Sequence, residues 1–100
     1  MKPPAHRILY TREAKRIIDK LDPSVRKLVR KAVGSLAVEP ERGKALSHEL
    51  SGLRSLRTSD YRIIYRAKGS ELVVLIVTVG HRREVYKRLG RLIDLAGRKK

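Results

Sequence analysis

Leu53 to Val79 reads LRSLRTSDYRIIYRAKGSELVVLIVTV, and this stretch decides the fold. Its pattern runs at period two, the signature of extended chain with alternate side chains on opposite faces. Leu53 to Arg57, Tyr61 to Ala67 and Leu72 to Val79 read as three strands. Thr58-Ser59-Asp60 and Lys68-Gly69-Ser70 between them are turn sequences, so neighbouring strands are expected as antiparallel hairpins. The third strand, LVVLIVTV, is apolar throughout and is expected at the centre of the sheet, covered on both faces.

Upstream the period changes to that of helices. Ala14, Ile17, Ile18 and Leu21 form one stripe, and Val25, Leu28, Val29, Ala32, Val33 and Leu36 form another. Thr11 is placed to cap the first helix and Glu13 suits its positive end. Asp22-Pro23 closes the first helix and opens the second, and Glu39-Pro40 ends it. So short a turn predicts an antiparallel helical hairpin. Ala5 to Tyr10 reads as a short strand in front of it. Glu41 to Leu50 reads as an irregular loop with a turn at Arg42-Gly43. Downstream of Gly80, Val85, Leu89, Leu92, Ile93 and Ala96 recur at helical spacing before the basic end Arg98-Lys99-Lys100. The expected order is β-α-α-β-β-β-α, an α+β fold with a largely antiparallel four-stranded sheet packed against the helical hairpin and a C-terminal helix.

The chain has 100 residues, enough for one modest core, and residues 1–100 are read as a single domain. Cysteine is absent, which excludes a disulfide scaffold, a Cys-based zinc site and a thiol nucleophile. The longest apolar run, Leu72 to Val77, is too short to cross a bilayer, so no membrane partner is expected. MKPPAHRILY at the N-terminus lacks the apolar centre of a signal peptide, and a cytoplasmic protein is expected. Lys and Arg number 25 against 10 Asp and Glu, a formal net charge of +15 that points to a polyanionic partner. Much of this charge suits the solvated faces of the helices. The strand arginines are different, because Arg offers a fork matched to phosphate. Alternation sets Tyr61, Ile63 and Tyr65 on one face of their strand and Arg62, Ile64 and Arg66 on the other.

The sequence contains no phosphate-binding glycine loop, no H-E-x-x-H and no G-x-S-x-G. His6, His48 and His81 have no ligand-like spacing, so neither a metal nor a cofactor is expected. The candidate chemistry lies in Gly80-His81-Arg82-Arg83-Glu84-Val85-Tyr86, where the central strand gives way to a helix. Histidine exchanges protons near neutral pH, Arg neutralises an oxyanion, and Tyr stacks on a base or moves a proton. Such groups suffice to cleave RNA: a base or an oriented water takes the 2′-OH proton, cations hold the doubly charged phosphate, and an acid protonates the leaving 5′-oxygen. A basic helix start with Tyr86 packed beneath it accounts for the spacing equally well.

Two blocks, L-R-T-S-D-Y-R-I-I-Y and V-G-H-R-R-E-V-Y, make Ser51 to Tyr86 resemble the C-terminal half of the RelE/ParE toxin superfamily. With Arg12-Glu13-Ala14 and Leu21-Asp22 in the hairpin, the resemblance spans nearly the whole chain. The second block is closer to the RelE branch, whose members are mRNA interferases that cleave in the ribosomal A site. ParE-type members poison DNA gyrase and generally lack that catalytic set.

The resemblance implies that Arg62 contacts the scissile phosphate, that Arg82 stabilises charge or assists the leaving group, and that Tyr86 stacks on or activates the nucleotide at the cut. His81 stands where many relatives carry Lys or His, and is an acid, a base or a phosphate contact. Arg54, Arg57, Arg66, Arg83 and Lys87 are the expected RNA-binding set around them. Some relatives carry basic residues at the positions that read Leu53 and Ser55. Arg54 and Arg57 flank these two, and both are expected off that register unless a bulge intervenes, so the chain would be a slower ribonuclease than its relatives or one whose missing charge comes from Lys44 or a helix.

The expected function is that of a type II toxin: a ribosome-dependent mRNA endoribonuclease, a hydrolase that attacks through the 2′-OH and leaves a 2′,3′-cyclic phosphate. A gyrase inhibitor of the ParE kind is the alternative. The implied partners are the ribosome with its mRNA and a cognate RelB-like antitoxin with an acidic segment, favoured by the positive charge. Operator DNA is expected only through the antitoxin complex.

Overall fold

The computed structural model describes residues 5–81 and 83–97, with side chains as far as Gly90. The chain runs β1 (Arg7–Tyr10), α1 (Arg12–Lys20), α2 (Pro23–Ser35), β2 (Lys44–Ala45), β3 (Arg54–Thr58), β4 (Tyr61–Lys68), β5 (Val73–His81) and α3 (Glu84–Gly97). Short 3-10 turns occupy His48–Leu50 and Gly69–Glu71. The strands lie in the order β1-β5-β4-β3-β2.

The local signals act as their chemistry dictates at Thr11. Its Oγ accepts the Ala14 N–H at 3.1 Å, and its hydroxyl donates to the Val77 carbonyl at 2.6 Å, so the α1 cap also ties the helix to β5. Asp22 occupies the equivalent place before α2, yet its side chain makes no capping bond there; Pro23 at the helix start does the local work. Ala14 and Ile18 of α1 and Val29, Val33 and Leu36 of the α2 segment pack on Ile63, Tyr65, Val74, Ile76 and Val79. Each fully buried aliphatic side chain there stabilises the fold by about 1.5–3 kcal/mol. Leu28 falls outside the expected stripe, with 47% of its surface exposed on the shoulder of α2.

The other face of the sheet is covered by α3, whose Val85 and Leu89 pack on Leu53 and Ile64. Leu46, Leu50, Val77 and Tyr86 border this smaller cluster. The expected stripe residues Leu92, Ile93 and Ala96 and the basic end Arg98-Lys99-Lys100 lie outside the described side chains.

The α+β class and the helical hairpin are as expected, but the sheet has five strands among the described residues rather than four. Lys44–Ala45, read as loop, pairs antiparallel with Arg54–Ser55. A two-residue strand carries no periodicity to read; its cause lies in β4, where the Tyr65 hydroxyl captures Gly43. β1 joins the sheet parallel to β5, with Arg7 opposite Val73 and Tyr10 opposite Ile76. This pairing spans most of the chain and has no tight turn to fix its direction. β5 is flanked by β1 and β4 and covered on both faces, as its apolar run demands. Leu72, expected as its first residue, instead takes a left-handed conformation (φ 54°) that ends the preceding turn.

The β4–β5 ladder shifts register once. Ile64 pairs with Thr78 and Tyr65 with Ile76, leaving Val77 as the extra residue of a bulge. Beyond the bulge the ladder continues through Arg62 opposite Gly80 and Tyr61 opposite His81.

Candidate active site

Directly paired residues of a sheet share a face, so the register sorts the basic side chains. On the α3 face, Ser55 lies opposite Ile64, and Arg57 lies opposite Arg62, which in turn faces Gly80. On the hairpin face, Arg54 lies opposite Tyr65, and Thr58 opposite Tyr61. Arg57 therefore shares the face of Ser55 and Arg62, against the expectation that it falls off that register. Two residues separate it from Ser55, and β3 runs without a bulge between them. Arg54 does lie on the opposite face, where its guanidinium donates to the carbonyls of Gly43 at 2.7 Å and Glu41 at 3.3 Å. It holds the chain before β2 rather than presenting charge beside Arg62.

Tyr86 enters this face from the first turns of α3. Val85 next to it is fully buried and sits over Gly80: a Cβ at Gly80 would stand 3.0 Å from that of Val85. The close approach brings the start of α3 down onto β5. The Tyr86 hydroxyl donates to Ser55 Oγ at 3.2 Å, and the Arg62 guanidinium carbon lies 6.0 Å from the Tyr86 ring centroid. Arg62 Nε is buried with no partner among the described residues. An unpaired buried donor on a cation is costly, and an anion seated beside the Tyr86 ring would offset that cost. Arg88 braces the same helix, donating to Thr78 Oγ1 at 3.3 Å and to the Val79 carbonyl at 3.1 Å.

The other expected site residues fall in two groups. Arg66, Arg83 and Lys87 are exposed, Arg66 farther along β4 on the α3 face and the other two at the start of α3. His81 ends β5 exposed, and its ring meets Tyr61 edge to face, with centroids 5.3 Å apart and planes at 75°. The register sets this pair on the hairpin face, away from the Arg62–Tyr86 contact. Arg82 lies outside the described residues. The structure thus brings together Arg62, Tyr86 and Arg57, and separates Arg54 and His81 from them. Sequence reasoning missed the role of Ser55 as the Tyr86 partner, which the alternation Leu53, Ser55, Arg57 could have indicated.

Among the described residues no carboxylate pairs with the cations of this face. The one ion pair among the described residues, Arg30 with Asp19 at 3.9 Å, lies on the helical hairpin. No group of three His, Asp or Glu side chains among the described residues gathers into a metal-binding cluster. A cleft of about 460 Å³ lies at the opposite edge of the sheet, between β1 and the hairpin. The arginine–tyrosine face is an open surface of cations and one aromatic ring, suited to a polymer that presents phosphate and base together.

Comparison with known proteins gives a consistent set of likenesses. Residues 8–86 match the family described as ParE toxin of type II toxin–antitoxin system, parDE. The chain is 39% identical over 83 residues to Toxin RelG of Mycobacterium tuberculosis, covering 81% of this chain and 95% of that protein. It superposes on the toxin–antitoxin complex RelBE2 of the same organism with a TM-score of 0.73 at 36% identity, covering 78% of this chain and 99% of that one. The isolated Escherichia coli RelE toxin shares the fold, with a TM-score of 0.68 at 24% identity over 89% of this chain and 99% of that one.

Proposed function

The chain belongs to the RelE/ParE superfamily of type II toxins, and from that membership we propose that it is a metal-independent mRNA endoribonuclease of the RelE kind, acting on ribosomes. The observation that carries this reading is the contact between Arg62 and Tyr86, with the buried Arg62 Nε unpartnered and the Tyr86 hydroxyl bound to Ser55. A cation and an oriented phenol on an open face are the parts RNA cleavage needs.

In this mechanism the RNA 2′-oxygen attacks the adjacent phosphorus, and the bond to the 5′-oxygen breaks. The products are a 2′,3′-cyclic phosphate and a 5′-hydroxyl. Arg62 holds the non-bridging oxygens and stabilises the second negative charge of the phosphorane, a preorganised electrostatic effect. Arg57, its cross-strand neighbour, adds to the same field. Tyr86 stacks on the nucleotide and orients the 2′-OH, whose proton passes to a water as the bond to phosphorus forms. Arg82 is the proposed leaving-group contact, on the resemblance in the block V-G-H-R-R-E-V-Y; His81, whose ring packs on Tyr61 at the hairpin face, is proposed as a phosphate contact at the sheet end, and a water protonates the leaving 5′-oxygen. Arg66, Arg83 and Lys87 hold flanking phosphates.

The proposed partners are the ribosome with its mRNA and a RelB-like antitoxin carrying an acidic segment. An antitoxin accompanies the toxin in the RelBE2 complex of M. tuberculosis. The whole chain acts as one toxin domain in the cytoplasm, and no described helix is long and apolar enough to cross a membrane. A gyrase inhibitor of the ParE kind is the second reading, favoured by the family description and by the uncharged Leu53 and Ser55. Incubation with translating ribosomes separates the two. The nuclease reading expects codon-aligned mRNA ends from the wild type, at least about 100-fold slower cleavage by Arg62→Ala, and a clear loss in Tyr86→Phe. Intact mRNA together with trapped gyrase–DNA complexes would overturn it.

A further inference from the structure

On the α3 face beside Tyr86 the chain carries the uncharged Leu53 and Ser55, with Arg57 two residues farther along β3, and β2 brings a second cation to the other side of Ser55. The register sets Lys44 directly opposite Ser55. Residues so paired share a face with Cβ atoms about 4.5–5.5 Å apart. Lys44 therefore stands on the α3 face, next to the serine whose Oγ accepts from Tyr86 and in the same sheet face as Arg57 and Arg62. Its side chain is exposed, and it has no hydrogen-bond or ion-pair partner among the described residues.

The placement is built from the opposite face. The Tyr65 hydroxyl donates to the Pro40 carbonyl at 2.7 Å and accepts the Gly43 N–H at 2.8 Å. Arg54 donates to the Gly43 carbonyl at 2.7 Å, and the Leu46 N–H donates to the Leu53 carbonyl at 3.0 Å. These bonds grip the chain on both sides of Lys44. Gly43 must be glycine for the grip to close: a Cβ there would lie 2.7 Å from the Tyr65 hydroxyl and 3.0 Å from the Ser55 carbonyl oxygen. With Gly43 held against Tyr65, alternation turns the next residue toward the α3 face.

We propose that Lys44 is a phosphate-binding residue of the site, set in place from the far side of the sheet by Tyr65 and Arg54 as positioning residues. Its ammonium is a compact charge with three donors, able to hold a non-bridging phosphate oxygen near the Tyr86 ring. It adds from the edge strand a charge next to Ser55, beyond the one that Arg57 of β3 provides. The assignment rests on the nuclease reading for its substrate, RNA, and it is tested by binding as well as by cleavage.

The test uses the full chain and a short RNA made uncleavable by a 2′-deoxy nucleotide, with binding followed by amide NMR. In the wild type the RNA shifts the amides of Lys44, Ser55 and Tyr86. Lys44→Ala binds about tenfold more weakly and Lys44→Arg stays within about threefold, as expected for one charge-assisted interaction. On ribosomes Lys44→Ala cleaves about tenfold more slowly. Arg54→Ala weakens RNA binding only while Lys44 is present, so Lys44→Ala with Arg54→Ala is no worse than Lys44→Ala alone. Additive losses would overturn the positioning role, which a merely structural arginine would produce. Unchanged RNA affinity in Lys44→Ala, or a wild type whose Ser55 and Tyr86 amides do not respond to RNA, overturns the site. A wild type that binds the RNA at these amides but leaves ribosomal mRNA intact fails the nuclease reading, while the Lys44 assignment is sustained.

Discussion

Tyr65 has no exposed surface, yet its hydroxyl is satisfied on both sides, by Pro40 25 residues upstream and Gly43 22 residues upstream. Its ring was legible from the alternation Tyr61, Ile63, Tyr65, which assigns it to the core face. Its hydroxyl partners were not, because they come from an irregular segment with no period of its own. The same holds for Arg54, whose position on a strand was readable but whose carbonyl partners were not. Tyr65→Phe should leave the Gly43 N–H and the Pro40 carbonyl without their partner, costing about 1–3 kcal/mol. A melting temperature lower by roughly 5 °C or more checks this. The phenol also makes stability depend on alkaline pH. Burial raises its pKa above the ordinary 10.0, the Gly43 N–H and Arg54 oppose that rise, and Glu41 adds to it. The unfolded chain releases this proton near pH 10.0 while the folded chain keeps it, so the unfolded state binds fewer protons there and stability falls as pH rises. Tyr65→Phe should thus be less stable at pH 8 but lose less further stability between pH 9.5 and 11.5. Parallel denaturation profiles for the two proteins would show that the phenol titrates alike folded and unfolded.

At the scale of elements, legibility follows locality. The helical hairpin came from two apolar stripes and a Pro, and the β3-β4-β5 meander from turn sequences separating short runs. β2 escaped, and β1, though legible as a strand, gave no sign of its parallel pairing, because each is placed by a distant partner, the Tyr65-held loop in one case and β5 in the other. The docking of α3 is of the same non-local kind, and it decides where Tyr86 stands. Val85 presses on Gly80, which is itself the cross-strand partner of Arg62. Gly80→Ala would set its Cβ 3.0 Å from the Val85 Cβ and 3.4 Å from the Val85 Cα, tighter than packed interiors tolerate without movement. The helix start must lift, because β5 is fixed by ladders on both sides. The expected cost is about 1–3 kcal/mol, with a drop in cleavage larger than the loss of folded protein explains, since the Tyr86–Ser55 bond opens. Wild-type cleavage per folded molecule in Gly80→Ala would show that α3 can shift without moving Tyr86 from its place.

Over the whole molecule the charge of +15 covers a slab of 46 × 34 × 21 Å whose two broad faces carry α3 and the helical hairpin. Its thickness is about two and a half Debye lengths at physiological salt, so a cation on one face is largely screened from a polyanion at the other and acts on the phosphates that approach its own face. This distinguishes a sequence-independent footprint from the site itself. Arg16, Lys20 and Lys27 are exposed on the hairpin, on the opposite side of the sheet from Arg62 and Tyr86. Replacing all three by Gln should flatten the dependence of ribosome affinity on salt, by about 0.7–0.9 in the log–log slope for each phosphate no longer neutralised. On the nuclease reading, cleavage at saturating toxin should not change, because these residues lie across the sheet from the proposed site. Arg62→Ala should do the reverse, lowering the slope by no more than a single phosphate's share while stopping cleavage. If the triple variant failed to cleave at saturation with its slope unchanged, the hairpin charge would belong to the chemistry. The distinction between a charged footprint and a few reacting side chains would then fail for this molecule.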